Sequence, residues 1–312
     1  MSNSETLSFF ELFKKFPNEE AARLHFEAGR WADGKFCPHC GSYGVAECKN
    51  LKPMPYRCKD CRKHFSVRTG TVLEESRLPL LTWLMAIYMM TTARKGIPST
   101  QMAKELGITQ KSAWFLAQRI REAWLTENDS DNSGGGQLGG EVEVDETFIG
   151  GKESNKHASK KINQGRGTVG KSIVIGMKQR NGSIIAKHID NTSKSTLQGF
   201  INQNASLGCI VYTDTHSSYK GIKGYTHLSV NHTVGEYVRQ QAHTNGIESF
   251  WALLKRGHYG VFHYMSAKHL HRYVNEFSNR HNTASYGTMQ FIDDTFKNMK
   301  NRRLTYKELI NA

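Results

Sequence analysis

Three places in the second half of the chain hold side chains able to do chemistry. Asp145 follows the alternating stretch "EVEV", Asp214 ends the apolar run "GCIVYTD", and Asn245 and Glu248 lie in "HTNGIESFWALLKRGHYG". Carboxylates from separate elements, brought to one edge of a sheet, form a cage of hard oxygens. Mg²⁺ favours such a cage when water and substrate phosphate complete it. Two such ions about 3.5–4 Å apart can activate a water or a 3′-hydroxyl and stabilise the leaving oxygen of an in-line phosphodiester displacement. Taken singly, each aspartate reads more simply as a cap or a surface charge. Their combination carries the inference.

The helix that would supply a third ligand has Ile247, Phe250, Trp251 and Leu254 at i, i+3, i+4 and i+7, one apolar face. With Asn245 as N-cap, Glu248 falls at the third helical position, a capping-box arrangement in which both residues only start the helix. Otherwise one of them faces the aspartates. An anionic carboxylate suits a hard cation better than an amide, which favours Glu248, but one turn of spacing leaves both open. Lys255, seven residues beyond Glu248, lies near the same face and can grip a DNA phosphate, a contact that Arg256 and His258 would extend.

A second cluster concerns structure. Cys37 and Cys40 form "CPHC", Cys58 and Cys61 form "CKDC", and 17 residues separate the pairs. Each pair can wrap one side of a tetrahedral Zn²⁺, with an intervening hairpin closing the other, as in a zinc ribbon. His39 and Cys48 fall outside the pairs, and Cys209 reads as a small buried hydrophobe.

The elements that must position these groups follow from composition and periodicity. In 312 residues, 42 Lys and Arg stand against 28 Asp and Glu, a formal charge of +14 that favours polyanions, nucleic acid first among them. No Gly-rich nucleotide fingerprint supports a small-molecule enzyme. The opening residues lack the form of a secretory signal, and the run 78–90 falls short of the ~20 residues that span a bilayer. A cytoplasmic protein with reduced cysteines and no membrane partner is expected.

Residues 99–124 read as a helix-turn-helix, with helices over 99–106 and 110–124 around Gly107. Ala113, Leu116, Ala117, Ile120 and Trp124 form an apolar stripe, which leaves Lys111, Gln118 and Arg121 to face DNA. Plain helical packing fits the same pattern. A polar, Gly-rich stretch at 126–140 marks a linker. Beyond it, strands are expected at 141–151, 171–179, 182–189, 208–215 and 225–232, with a hairpin turn at "RNG" and helices at 195–205 and from 245 onward. This is an α/β domain with a mixed sheet, and 152–171 should be a basic loop.

At this point the stretches "RWADGKFCPHCGS", "YRCKDCRKHFSVRTGT", "VEVDETFIGGKE", "VYTDTHSSY" and "HTNGIESFWALLKRGHYGVFHYMSAKHLHRYVNEFSNRHN" resemble bacterial insertion-sequence transposases of the ISXO-like type. The resemblance covers most of residues 30–282. It implies a multidomain α/β protein: an N-terminal helical segment (1–35), a zinc ribbon (36–70), a helix-turn-helix-like DNA-binding unit (78–127), a linker (128–140), an RNase H-like catalytic domain (141–290) and a basic C-terminal tail (291–312).

It further implies cleavage of double-stranded DNA at terminal inverted repeats and strand transfer into target DNA. Structural Zn²⁺ and catalytic Mg²⁺ or Mn²⁺ would serve it, in a homo-oligomer on DNA in the bacterial cytoplasm, associated with the nucleoid. Asp145 and Asp214 match the family's first two acidic positions. The third is often asparagine in this family, which points to Asn245, followed by a basic residue at Lys255, while Glu248 stays available. A DNA-binding regulator with an inactive catalytic domain would bind without cutting, and a nuclease acting on RNA–DNA hybrids would need neither ribbon nor helix-turn-helix.

Overall fold

The computed structural model describes residues 5–125, 137–151, 155–161, 168, 170–230 and 243–311. Most of the expected linker, up to residue 136, and half of the basic loop 152–171 lie outside them. The chain divides into two units, Met1–Trp124 with Ser285–Ala312, and Leu125–Ala284. Among the described residues no helix is long and apolar enough to cross a membrane.

The first unit begins with α1 (Phe9–Lys15), started by a reciprocal capping box between Ser8 and Glu11, and α2 (Glu19–Arg30), capped by the Asn18 side chain. A three-stranded antiparallel sheet follows: β1 (Val45–Glu47), β2 (Tyr56–Cys58) and β3 (His64–Phe65). The apolar run of the sequence becomes α3 (Leu80–Thr92), buried along most of its length. Then come α4 (Ser99–Leu106) and α5 (Gln110–Ala123). Gly107 ends α4 in the left-handed region at φ 64°, where a Cβ would be strained, and the Thr109 hydroxyl caps α5.

The second unit is an α/β fold built on one mixed sheet. Its five-stranded sheet comprises β4 (Glu141–Ile149), β5 (Ser172–Gln179), β6 (Ile184–Ile189), β7 (Ile210–Asp214) and β8 (Thr226–Val230), in the order β6-β5-β4-β7-β8. β4, β5 and β6 pair antiparallel, while β7 lies parallel to β4 and β8 parallel to β7. The expected hairpin joins β5 to β6, with Asn181 at φ 55° in its turn. α6 (Lys194–Asn204) covers one face, packing Leu197, Phe200 and Ile201 on Val142, Val144, Ile175 and Val211. α7 (Asn245–Gly257), a short π-helical turn (His258–Phe262) and α8 (Ala267–Asn282) cover the other, where Ile247, Phe250, Trp251, Val274 and Phe277 meet Ile149, Val174 and Ile184. Each large apolar side chain so buried contributes about 1.5–3 kcal/mol.

The chain then returns to the first unit with α9 (Thr288–Lys297) and α10 (Tyr306–Asn311). The stretch 291–312, read from sequence as a basic tail, is therefore folded as far as residue 311. Phe291, Ile292, Phe296 and Met299 belong to the same core as Phe26 of α2, Tyr56 and Phe65 of the ribbon, Trp83 of α3 and Leu116 of α5. Segments too small to bury a core singly share this one. The Tyr56 hydroxyl donates to the buried Glu27 carboxylate at 2.6 Å, which also pairs with Arg23, so a polar link joins ribbon to α2 as well.

This shared core corrects the reading of α5. Gln118 and Arg121, expected to face DNA, are 0% and 2% exposed. Lys111 is exposed, with its ammonium 4.5 Å from the centre of the Tyr306 ring. The helix-turn-helix outline holds, but α5 is buried almost all round from Leu116 onward, so its polar residues point into the protein.

Candidate active site

The two aspartates come from adjacent parallel strands. β4 and β7 are in register at Glu143 and Tyr212, so two residues further along, Asp145 at the middle of β4 lies level with Asp214, the last residue of β7. The backbone N–H of His216 donates to Asp214 at 2.9 Å and fixes that carboxylate. Burial raises the Asp145 pKa from its ordinary 3.8 to about 7, and the negative charges of Glu146, Asp214 and Glu248 add to the rise. Glu146 is likewise pushed up to about 7, by burial and then by Asp214, although the Tyr219 hydroxyl donates to it and eases its charge. A buried carboxylate whose pKa is raised further by neighbouring negative charge is a group that a cation would relieve. The donors are hard oxygens of the type that hold a divalent ion of the Mg²⁺ class, although among the described residues no three of these carboxylates gather as closely as the ribbon cysteines do.

α7 runs along β4 and keeps step with it. The Ile247 N–H donates to Glu143 at 2.9 Å, and the Trp251 indole N–H donates to Asp145 at 3.0 Å. Two strand residues climb about 6.6 Å and four helical residues about 6 Å, so the helix stays aligned with the strand between these contacts. Glu248 falls within that interval, on the exposed side of the helix. Asn245 falls a turn earlier, exposed at the first helical position. Among the described residues it makes no hydrogen bond to either aspartate. The N-cap is Thr244, not Asn245, and the Thr244 hydroxyl donates to Glu248 at 2.8 Å. The capping box expected between Asn245 and Glu248 does not form, since the N-cap side chain makes no hydrogen bond to the backbone at the start of α7.

Lys255 is half-buried and Arg256 exposed on the last turn of α7, about 10 Å along the axis from Glu248. His258, expected to extend that basic contact, is only 3% exposed and faces inward. Sequence reasoning missed three groups here. Glu146 follows Asp145 directly on the opposite strand face, Tyr219 lies just beyond β7, and Trp251 was read only as an apolar helix residue. A large indole one turn beyond Glu248 was the available signal, since a buried Trp N–H needs an acceptor.

Gly176 on β5 pairs across the sheet with Asp145, and a Cβ there would meet the Trp251 ring at 2.6 Å. Only a glycine lets the indole cross the strand and reach the carboxylate. Gly176→Ala should therefore cost about 1–3 kcal/mol by overpacking. By contrast, Gly199→Ala on α6, where a Cβ meets nothing within 4 Å, should stabilise by about 0.5–1 kcal/mol. Urea denaturation of the two variants checks both signs, and equal effects would refute the close approach.

The raised Asp145 pKa also sets a pH dependence. Between about pH 4 and pH 7 the folded chain holds a proton that the unfolded chain has released, so rising pH favours unfolding. Without added divalent cation, stability should fall across that window. Asp145→Asn, which carries no charge, should be the more stable form at pH 8, by on the order of 2–4 kcal/mol. Parallel stability curves for the two proteins from pH 5 to pH 8 would sink this expectation.

In the first unit the four ribbon cysteines converge, with Cys37 and Cys61 sulfurs 3.6 Å apart, Cys40 and Cys58 sulfurs 3.6 Å apart, and all four within 4.8 Å of one another. A tetrahedral Zn²⁺ with bonds of about 2.3 Å requires sulfurs about 3.8 Å apart. The four thiolates fit a structural zinc. His39 and Cys48 stand outside the cluster, as the spacing implied.

Residues 137–282 match the ISXO2-like transposase domain, and residues 17–64 match a transposase zinc-ribbon domain. The chain is 27% identical over 256 residues to an uncharacterized protein in transposable element ISH50 of Halobacterium salinarum, covering 78% of this chain and 84% of that one. It is 30% identical over 98 residues to an uncharacterized transposase-like protein of Haemophilus influenzae, covering 31% of this chain and 78% of that one. Among solved structures, the pre-cleavage Mos1 transpososome aligns at 11% identity and a TM-score of 0.20, over 65% of this chain and 75% of that one. The Mos1 strand transfer complex aligns at 11% identity and 0.21, over 70% and 78%.

Proposed function

The chain belongs to the ISXO2-like transposases, and from that membership we propose that it cuts the ends of a mobile DNA element and joins them to target DNA with Asp145, Asp214 and Glu248 as its metal-holding carboxylates. The observation that carries this reading is geometric: Asp145 and Asp214 lie level on adjacent parallel strands, and α7 is tied to β4 beside them by the Ile247 N–H on Glu143 and the Trp251 N–H on Asp145. Mg²⁺ or Mn²⁺ held there supplies charge neutralisation at the scissile phosphate and activation of the attacking hydroxyl.

The chain's own residues do the rest. The indole N–H of Trp251 holds one oxygen of Asp145 and leaves the other to face the site. The His216 N–H orients Asp214, and the Thr244 hydroxyl orients Glu248. Lys255 and Arg256 grip the DNA backbone further along α7 and set the scissile phosphate against the carboxylates. Lys111 binds the terminal inverted repeats in the first unit, while Gln118 and Arg121 serve its core. Two ends must be cut together, so the active form is a homo-oligomer on DNA, working in the bacterial cytoplasm where the ribbon thiols stay reduced.

The test is a cleavage and strand-transfer assay with purified full-length protein, Mn²⁺, and duplex oligonucleotides carrying the DNA that flanks its own gene. Metal-dependent joining of the 3′ ends to a target duplex is the expected result. Tight binding of those ends with no cutting at any Mn²⁺ concentration would overturn the catalytic reading.

A further inference from the structure

Glu143 is 2% exposed, yet it carries a carboxylate that the chemistry above does not use. Its Oε2 accepts the Ile247 N–H at 2.9 Å, a free amide of the first turn of α7. Its Oε1 lies 3.5 Å from the Arg180 guanidinium and 3.3 Å from Nδ1 of His243. Arg180 also pairs with Glu141, stacks 4.0 Å over the Tyr212 ring, and donates to the His243 carbonyl at 3.5 Å. Lys178, the cross-strand partner of Glu143, reaches the Gly246 carbonyl at 3.5 Å. Strands β4, β5 and β7 thus grip the segment 243–247 through one polar network.

The sequence accommodates this grip at Gly246. A Cβ at that position would meet the Glu143 carboxylate at 2.7 Å and the Lys178 ammonium at 3.0 Å. A buried charge is costly unless fully partnered, and an apolar side chain would pack the same face more simply. What an apolar residue lacks is direction: it fixes neither the rotation nor the axial position of a helix. Glu143 stands one strand-face step before Asp145, and Ile247 stands one residue before Glu248. A hydrogen bond between the first members of these pairs sets the distance between the second.

Resting on the transposase reading, we propose that Glu143 is a positioning residue: with Arg180 it anchors the first turn of α7 to the sheet and so holds Glu248 at the two aspartates. It does not touch DNA or metal. Residues that orient metal ligands typically change metal affinity or activity by 10–100-fold when removed.

The experiment uses the full-length protein and three variants, Glu143→Ala, Glu143→Gln and Gly246→Ala. Glu143→Ala should raise the Mn²⁺ concentration for half-maximal cleavage by about tenfold or more and lower kcat by a similar factor, with KM for the end duplex within about twofold. Glu143→Gln keeps an acceptor for the Ile247 N–H and should recover most of that loss. Gly246→Ala, with Glu143 intact, should reproduce it. Amide hydrogen exchange supplies a readout independent of catalysis: the peptide over 243–253 should lose protection in Glu143→Ala while the β4–β5 peptides keep theirs.

Unchanged exchange at 243–253 would overturn the anchor. So would a loss of rate with unaltered Mn²⁺ dependence, which is what reduced folding alone produces. If the wild type fails to cleave at all, the transposase reading falls, and exchange still decides whether Glu143 holds α7.

Discussion

In an end-cleavage assay, Glu248→Gln is expected to lower the rate by about 10³-fold or more, and Asn245→Ala by less than about tenfold. The amide of Gln keeps the size of the side chain and still accepts the hydrogen bond that Thr244 donates to Glu248 at 2.8 Å, so the helix start survives. What disappears is the negative charge that Asp145 feels from α7. Asn245 lies a turn earlier and faces solvent, below the level at which Glu143 meets Ile247. Its loss should weaken contacts at the rim of the site and leave the carboxylate set whole. Because the three acids act as one unit, Asp145→Asn combined with Glu248→Gln should be no slower than either change alone. The reverse ranking, with Asn245→Ala inactive and Glu248→Gln active, would assign the third position to the asparagine that the family resemblance favours.

The choice between these two residues illustrates what the chain makes legible. The i, i+3, i+4, i+7 pattern over Ile247, Phe250, Trp251 and Leu254 marks α7 and its buried face directly. It cannot say which polar residue points at a strand 100 residues earlier in the chain. That depends on how strand and helix are phased, and Glu143, Gly176 and Gly246 set the phase through tertiary contacts. The ribbon was legible because four thiolates at fixed spacing have one economical arrangement.

Gln118 and Arg121 were misread for the opposite reason. Amphipathic reasoning sends polar residues outward, and in a helix enclosed by a shared core that inference fails. Phe291, Ile292 and Phe296 were hidden in the same way, since the basic residues around them suggested a tail. A core assembled from distant segments leaves no local periodicity strong enough to announce it.

That shared core governs the effect of removing zinc. Cys58→Ser is expected to reduce bound zinc from one ion per chain to almost none, and to lower the melting midpoint of the first unit by on the order of 10 °C. Isolated zinc fingers depend on their metal for about 10–16 kcal/mol of apparent binding free energy and unfold without it. Here Cys37 and Cys58 are each 0% exposed and sit in the core that also holds Phe26, Trp83, Leu116 and Phe296. Loss of the metal leaves buried thiols without their common partner and loosens β2, so damage should spread from the ribbon into α2 and α3. Tyr56 keeps its bond to Glu27, and the apolar helices keep their mutual contacts, which should spare the unit from complete unfolding at room temperature. The second unit has its own two cores around the sheet. Calorimetry should therefore record two transitions, the lower one moving with zinc and the upper one fixed. DNA-end binding should fall with the first transition, while Mn²⁺ still shifts the second. A first-unit midpoint unchanged in the zinc-free variant would mean that the helices alone support the unit, and that the four cysteines serve a purpose other than stability.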